Sequence, residues 1–159
     1  MQELNYKIID NFLDLEDLET IKSVMLSKDF LWQVKECEEG GNLFLELLHY
    51  YNNSPLSEFY NDVLPIMKKI EVLGLVEIKS NMYFKNTYLQ SFKKQKKYDF
   101  SVGTAIYYLN SNDGYTLLQD GSKIESKENR IVLFEENTFY YETNCTDSTC
   151  RANITFNYF

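Results

Sequence analysis

Histidine is nearly missing from this chain: among 159 residues there is one, His49. A site built on two imidazoles, catalytic or metal-binding, is therefore excluded. Proline is scarce as well, with two residues, and low-complexity stretches are few, which argues against linkers or disorder. No apolar run approaches the roughly 18 residues needed to span a bilayer. The opening Met1-Gln-Glu-Leu-Asn5 lacks the basic start of a secretory signal. A cytoplasmic protein without membrane contact is expected. The three cysteines, Cys37, Cys145 and Cys150, are odd in number and lack the paired spacing of a zinc site. Cys145 and Cys150 lie close enough in sequence to approach across a turn, and in a reducing compartment both are expected as thiols. Positive charge is also short: 16 Lys and Arg face 24 Asp and Glu, a net charge of −8, which argues against a general nucleic-acid binder. The one basic cluster, Lys93-Lys-Gln-Lys-Lys97, reads as a solvated loop.

What the chain has in quantity is aromatic surface: 13 Tyr and 11 Phe, the bulky rings that pack well on pleated faces. The most informative stretch is the last, Arg151-Ala-Asn-Ile-Thr-Phe-Asn-Tyr-Phe159. It reads as one closing strand that alternates apolar and polar residues and carries a single cation at its start. An unpaired buried guanidinium is very costly, so Arg151 needs an anion. That anion is either a carboxylate of the protein or a carboxylate ligand gripped by the guanidinium fork.

Upstream, Tyr6 to Asp10 reads as a strand. Asp14 caps a helix with Leu15, Leu18, Ile21 and Met25 on one face. Phe30 to Val34 reads as a second strand. Another helix is expected after Ser54, with Pro55 at its first position, a bend or break at Pro65 and a stop at Gly74. From Val76 onward short strands alternate with turn signals such as Asp113-Gly114 and Asp120-Gly121. The candidates are Ile78–Phe84, Thr104–Leu109, Tyr115–Leu118, Lys123–Ser126, Ile131–Phe134 and Ala152–Phe159. The expected class is α+β, mainly β: a single domain over 1–159, helical over 1–75, with helices packed on a sandwich or jelly roll over 76–159.

Five blocks then occur in a telling order: Thr104-Ala-Ile-Tyr-Tyr-Leu-Asn110, the Asp113-Gly-Tyr-Thr116 turn, Glu128-Asn-Arg130 before Ile131-Val-Leu-Phe134, Cys145-Thr-Asp147, and the Arg151 strand. Together they resemble the iron(II)/2-oxoglutarate-dependent dioxygenases of prolyl-hydroxylase type, and among these the small phage-encoded versions. The resemblance implies a double-stranded β-helix, cupin-like, with iron and 2-oxoglutarate held between its sheets. Iron in that family sits on two His and one carboxylate. The first two ligands come as His-x-Asp on one strand, and the third is a His shortly before the Arg that binds 2-oxoglutarate.

The sequence departs from that pattern at the metal. By resemblance the His-x-Asp positions fall on Gln95 and Lys97, and the distal His position on Tyr140. His49 lies well upstream and is expected to be structural. A lysine that gave up its proton to become a ligand would cost about 4–5 kcal/mol at pH 7. If it stayed charged, it would repel a dication about 4 Å away by roughly 8 kcal/mol at an effective dielectric near 20. Iron is therefore not expected. The co-substrate half is better kept: by resemblance Tyr83, Tyr108, Arg151 and Thr155 form the 2-oxoglutarate or anion pocket.

The expected function is that of a catalytically inactive dioxygenase-fold protein, a pseudoenzyme used for binding or assembly with a protein partner, in a host cytoplasm or virion if phage-encoded. The alternatives are a 2-oxoglutarate-dependent oxygenase with unusual or no metal ligation, and a metal-independent binder of a small dicarboxylate, with Lys97 standing in for the metal's charge.

Overall fold

The computed structural model describes residues 5–95, 98–135 and 139–159. In chain order the elements are β1 (Tyr6–Ile9), α1 (Leu15–Met25), β2 (Gln33–Glu36), β3 (Leu43–Tyr51), β4 (Ser54–Pro55) and α2 (Tyr60–Ile70). They continue with β5 (Leu75–Phe84), β6 (Ser91–Gln95), β7 (Gly103–Tyr108), β8 (Tyr115–Leu117), β9 (Lys123–Glu125), β10 (Arg130–Glu135), β11 (Phe139–Thr143) and β12 (Cys150–Tyr158). Two antiparallel sheets result. The larger runs β1-β10-β7-β12-β5-β3-β2 with β4 on β3, and the smaller runs β6-β11-β8-β9. No described helix is long and apolar enough to cross a membrane.

The closing strand lies at the centre of the larger sheet, between β5 and β7. Its alternation sorts two environments. Ala152, Ile154 and Phe156 join the main apolar core with Leu18, Ile21 and Met25 of α1 and Val63 and Ile66 of α2. Arg151, Asn153, Thr155 and Asn157 lie on the opposite face, toward the smaller sheet, and are buried there. A buried row of polar side chains on a central strand marks the interior between the sheets as the place to look for function.

The helical part is as much strand as helix, which corrects the partition at residue 75. Leu43–Tyr51 is a nine-residue strand paired with β5, although its near-continuous apolar run gave no clear period. The second helix starts at Tyr60, not after Ser54. Ser54 is extended, as a residue before proline prefers, so Ser54–Pro55 pairs with β3 and the Leu56 N–H donates to the His49 backbone carbonyl at 2.8 Å. Pro65 sits inside α2 without ending it; the carbonyl it leaves unmatched belongs to Asn61, an exposed residue of the first turn. The helix stops at Glu71, whose φ of 58° is left-handed, before Gly74 is reached. In α1, Asp14 accepts from the Asp17 N–H at 3.0 Å as the sequence indicates, but Leu15 is 76% exposed and off the packed face. The second strand starts at Gln33, and Phe30 is a core residue. Part of the basic cluster read as a loop is the strand β6, and β11 is a further strand absent from the sequence reading.

Candidate functional site between the two sheets

Arg151 enters the interior from the start of β12, opposite Tyr83 of β5 in the strand register. Tyr108 ends β7 next to Asn153. The guanidinium carbon lies 5.6 Å from the Tyr83 ring centre and 5.4 Å from that of Tyr108, so two aromatic rings flank the cation. The Asp113-Gly114 turn presses on its stem: a side chain at Gly114 would overlap the Asn144 carbonyl oxygen and come within 2.5 Å of Arg151 Cδ. Only glycine fits that approach.

The anion that Arg151 needs is supplied by the chain itself. Glu142 of β11 forms an ion pair with Arg151 Nη1, and the two side chains are 1% and 0% exposed. Nη1 also donates to the Thr143 carbonyl at 3.0 Å, and Nη2 donates to Thr116 Oγ1 at 3.1 Å. The Thr116 hydroxyl lies 3.2 and 3.1 Å from the two Glu142 carboxylate oxygens and 2.7 Å from the Tyr108 hydroxyl. Its one proton goes to Glu142, which leaves Tyr108 donating to Thr116. Burial alone would lower the pKa of Arg151. The Glu142 charge, Tyr108, Tyr83 and the Glu142 hydrogen bond together outweigh it, and the net shift is upward. Burial, with Glu142 next, pushes Tyr83 and Tyr108 well above the ordinary phenol value.

The polar groups around this pair are buried. Tyr83 Oη, Arg151 Nε, Asn81 Oδ1 and Asn153 Nδ2 have essentially no accessible surface and no hydrogen-bond partner among the described residues. A second charged group lies further along the same face. Lys79 stands 3.0 Å from Glu77 and 3.8 Å from Glu46, and Tyr98 donates to Glu77 at 2.9 Å. Facing it from the smaller sheet, Lys94 of β6 places its ammonium 4.1 Å from the Phe44 ring centre and 5.4 Å from that of Tyr83.

Of the residues singled out in the sequence, the fold gathers Tyr83, Tyr108 and Arg151. Thr155 shares their strand face but is bonded elsewhere, accepting from Asn81 Nδ2 at 3.2 Å. Tyr140 lies on the inner face of β11 in an apolar cluster, edge-on to Phe134 at 5.4 Å between ring centres. Its backbone partner on β6 is Lys94; Gln95 pairs with Phe139, and Lys97 lies outside the described residues. The cation that the described strands bring to the interior beside Tyr140 is thus Lys94. His49 lies on the other face of the larger sheet, with Nδ1 2.7 Å from the Ser57 hydroxyl and Nε2 2.6 Å from that of Ser80. Burial lowers its pKa to about 4, so it is a neutral core residue. The decisive residues that the sequence reading missed are Glu142 and Thr116. Glu142 carried a signal: it is the one charge in Phe139–Thr143, two positions from Tyr140 and therefore on the same face.

No family model matches the sequence, and no curated protein matches it. Solved structures match over nearly the whole chain. One is an oxidoreductase of the 2-oxoglutarate–iron(II) oxygenase family from Burkholderia pseudomallei, at 9% identity and TM-score 0.69, covering 96% of this chain and 84% of that one. Another is a prolyl hydroxylase from Trichoplax adhaerens in complex with a hypoxia-inducible-factor peptide fragment, at 15% identity and TM-score 0.67, covering 97% and 83%. A third is the viral collagen prolyl hydroxylase of Paramecium bursaria Chlorella virus-1 in its 2-oxoglutarate complex, at 11% identity and TM-score 0.61, covering 96% and 94%. The fold is that of the 2-oxoglutarate- and iron(II)-dependent oxygenases, a mainly β jelly roll with helices packed on one sheet.

The groups that this fold implies do not fit the described residues. Among the described residues no set of three or more His, Cys, Asp and Glu is arranged to hold a metal ion, and the only imidazole is bonded on the far side of the sheet. The arginine that the family resemblance assigns to 2-oxoglutarate is matched by Glu142.

Proposed function

We propose that this chain is a catalytically silent protein on an oxygenase fold, used for binding or assembly with a protein partner and working in the cytoplasm of a cell or in a virion. The Arg151–Glu142 pair carries the reading. A carboxylate tethered on a strand of the facing sheet needs no association step, whereas a free ligand loses roughly 4–15 kcal/mol of translational and rotational freedom on binding. A small dicarboxylate would have to displace Glu142 and leave a second buried carboxylate unmatched. The single, sequestered His49 supports the same reading at the metal.

The test is anaerobic reconstitution of the purified chain with iron(II) and 2-oxoglutarate, followed by metal analysis and a 2-oxoglutarate turnover assay after oxygen is admitted. The proposal expects neither retained iron nor turnover. Near-stoichiometric iron that is lost on changing Tyr140 or Lys94, or oxygen-dependent consumption of 2-oxoglutarate, overturns it.

A further inference from the structure

Two neighbouring lysines on β6 have opposite surroundings, because strand alternation sends them to opposite faces. Lys93 is held by an acid, 3.1 Å from Glu39, and that hydrogen bond raises its pKa. Lys94 points inward over Phe44 and Tyr83, and no hydrogen bond or ion pair to it is found among the described residues. The Lys79 charge repels it, and Glu46 and Glu142 oppose that repulsion in part. The two rings attract a cation, but they replace only part of the hydration that an ammonium loses when enclosed. Burial first, and Lys79 second, bring the amine down to about 8. Lys94 lies on β6, the edge strand of the smaller sheet, and part of the residue is open to solvent.

We propose that Lys94 is a reactive amine of this chain, a site at which a small carbonyl compound, an aldehyde or a 2-oxo acid, condenses to an imine. The nitrogen lone pair forms the new bond to the carbonyl carbon. The carbonyl oxygen leaves as water, taking both amine protons, and a carbon–nitrogen double bond remains. No oxidant, reductant or metal enters the step. Enclosure and the Lys79 charge give Lys94 a larger neutral fraction near neutral pH than an ordinary lysine has. Phe44 and Tyr83 hold the side chain in place and favour a compact, partly apolar adduct over a long one.

The test uses the full chain with limiting glycolaldehyde or glyoxylate, each with cyanoborohydride to lock any imine, and peptide mapping by mass spectrometry. Lys93 is the internal control. The expected result is modification of Lys94 at least tenfold faster than Lys93 with one or both compounds, with the Lys94 rate rising through a midpoint near pH 8. Faster reaction with glyoxylate assigns the site to 2-oxo acids, and faster reaction with glycolaldehyde to neutral aldehydes. Lys94→Arg is expected to remove the fast phase and leave the other lysines unchanged. Equal rates at Lys93 and Lys94 with both compounds, or a Lys94 profile that rises only near pH 10, overturns the proposal. Because no iron or 2-oxoglutarate is present, the result is independent of the silent-enzyme reading.

Discussion

Glu142 on the smaller sheet and Arg151 on the larger form one buried ion pair that ties the two sheets together. Thr116 joins them by hydrogen bonds to both. Removing the acid alone strands a guanidinium, so Glu142→Gln is expected to destabilise the fold by about 3–5 kcal/mol. Replacing both partners, with Arg151→Met beside Glu142→Gln, should cost less than Glu142→Gln alone. Urea unfolding of the single and double variants checks both statements.

Gly114→Ala tests the packing around that pair. The added carbon would meet the Asn144 carbonyl oxygen and Arg151 Cδ, and neither backbone nor a fully buried arginine stem yields easily. A loss of about 1–3 kcal/mol is expected from overpacking alone. Gly121→Ala is the control, since its surroundings are open and only its φ of 90° opposes a side chain.

His49 sets an acid limit on stability. Its pKa is about 4 in the fold against 6.5 ordinarily, so the folded state holds it neutral where the unfolded chain binds a proton. Its contribution is complete above pH 6.5 and is lost as the pH falls toward 4, a total of about 3 kcal/mol. Urea midpoints measured between pH 7 and 4.5 should fall less steeply for His49→Gln than for the wild-type chain. Parallel curves would contradict this.

Asn129 fastens the N-terminal segment to the sheet. With a φ of 59°, it accepts from the Tyr107 hydroxyl at 2.9 Å and from the Leu13 N–H at 2.8 Å, and donates to the Leu13 carbonyl at 2.8 Å. Asn129→Ala loses these bonds and strains the left-handed backbone, for an expected loss of about 3–4 kcal/mol by thermal or urea unfolding. Asn129→Gly relieves only the backbone part and should recover about 1 kcal/mol.

The sheet that carries Arg151 was legible because its strands alternate and are separated by turn residues: β5, β7, β10 and β12 all stand where periodicity puts them, to within a few residues. Leu43–Tyr51 was hidden because a strand buried on both faces loses its period. Ser54–Pro55 was misread because proline serves an extended start as readily as a helical one. At the site, Arg151 and its need for an anion could be read from one strand. Its partner could not, since the choice between an internal acid and a ligand depends on the register that brings β11 beside β8, and with them Glu142 beside Thr116. Lys94 was hidden inside a charge run, where only the pleat separates an inward lysine from its outward neighbour.

The most direct measurement is isothermal titration of 2-oxoglutarate into the purified full chain under anaerobic conditions, with and without iron(II). With Arg151 already matched by Glu142, no binding heat is expected in either condition at concentrations up to the millimolar range. One-to-one binding at micromolar concentrations that is abolished by Arg151→Ala would contradict the account.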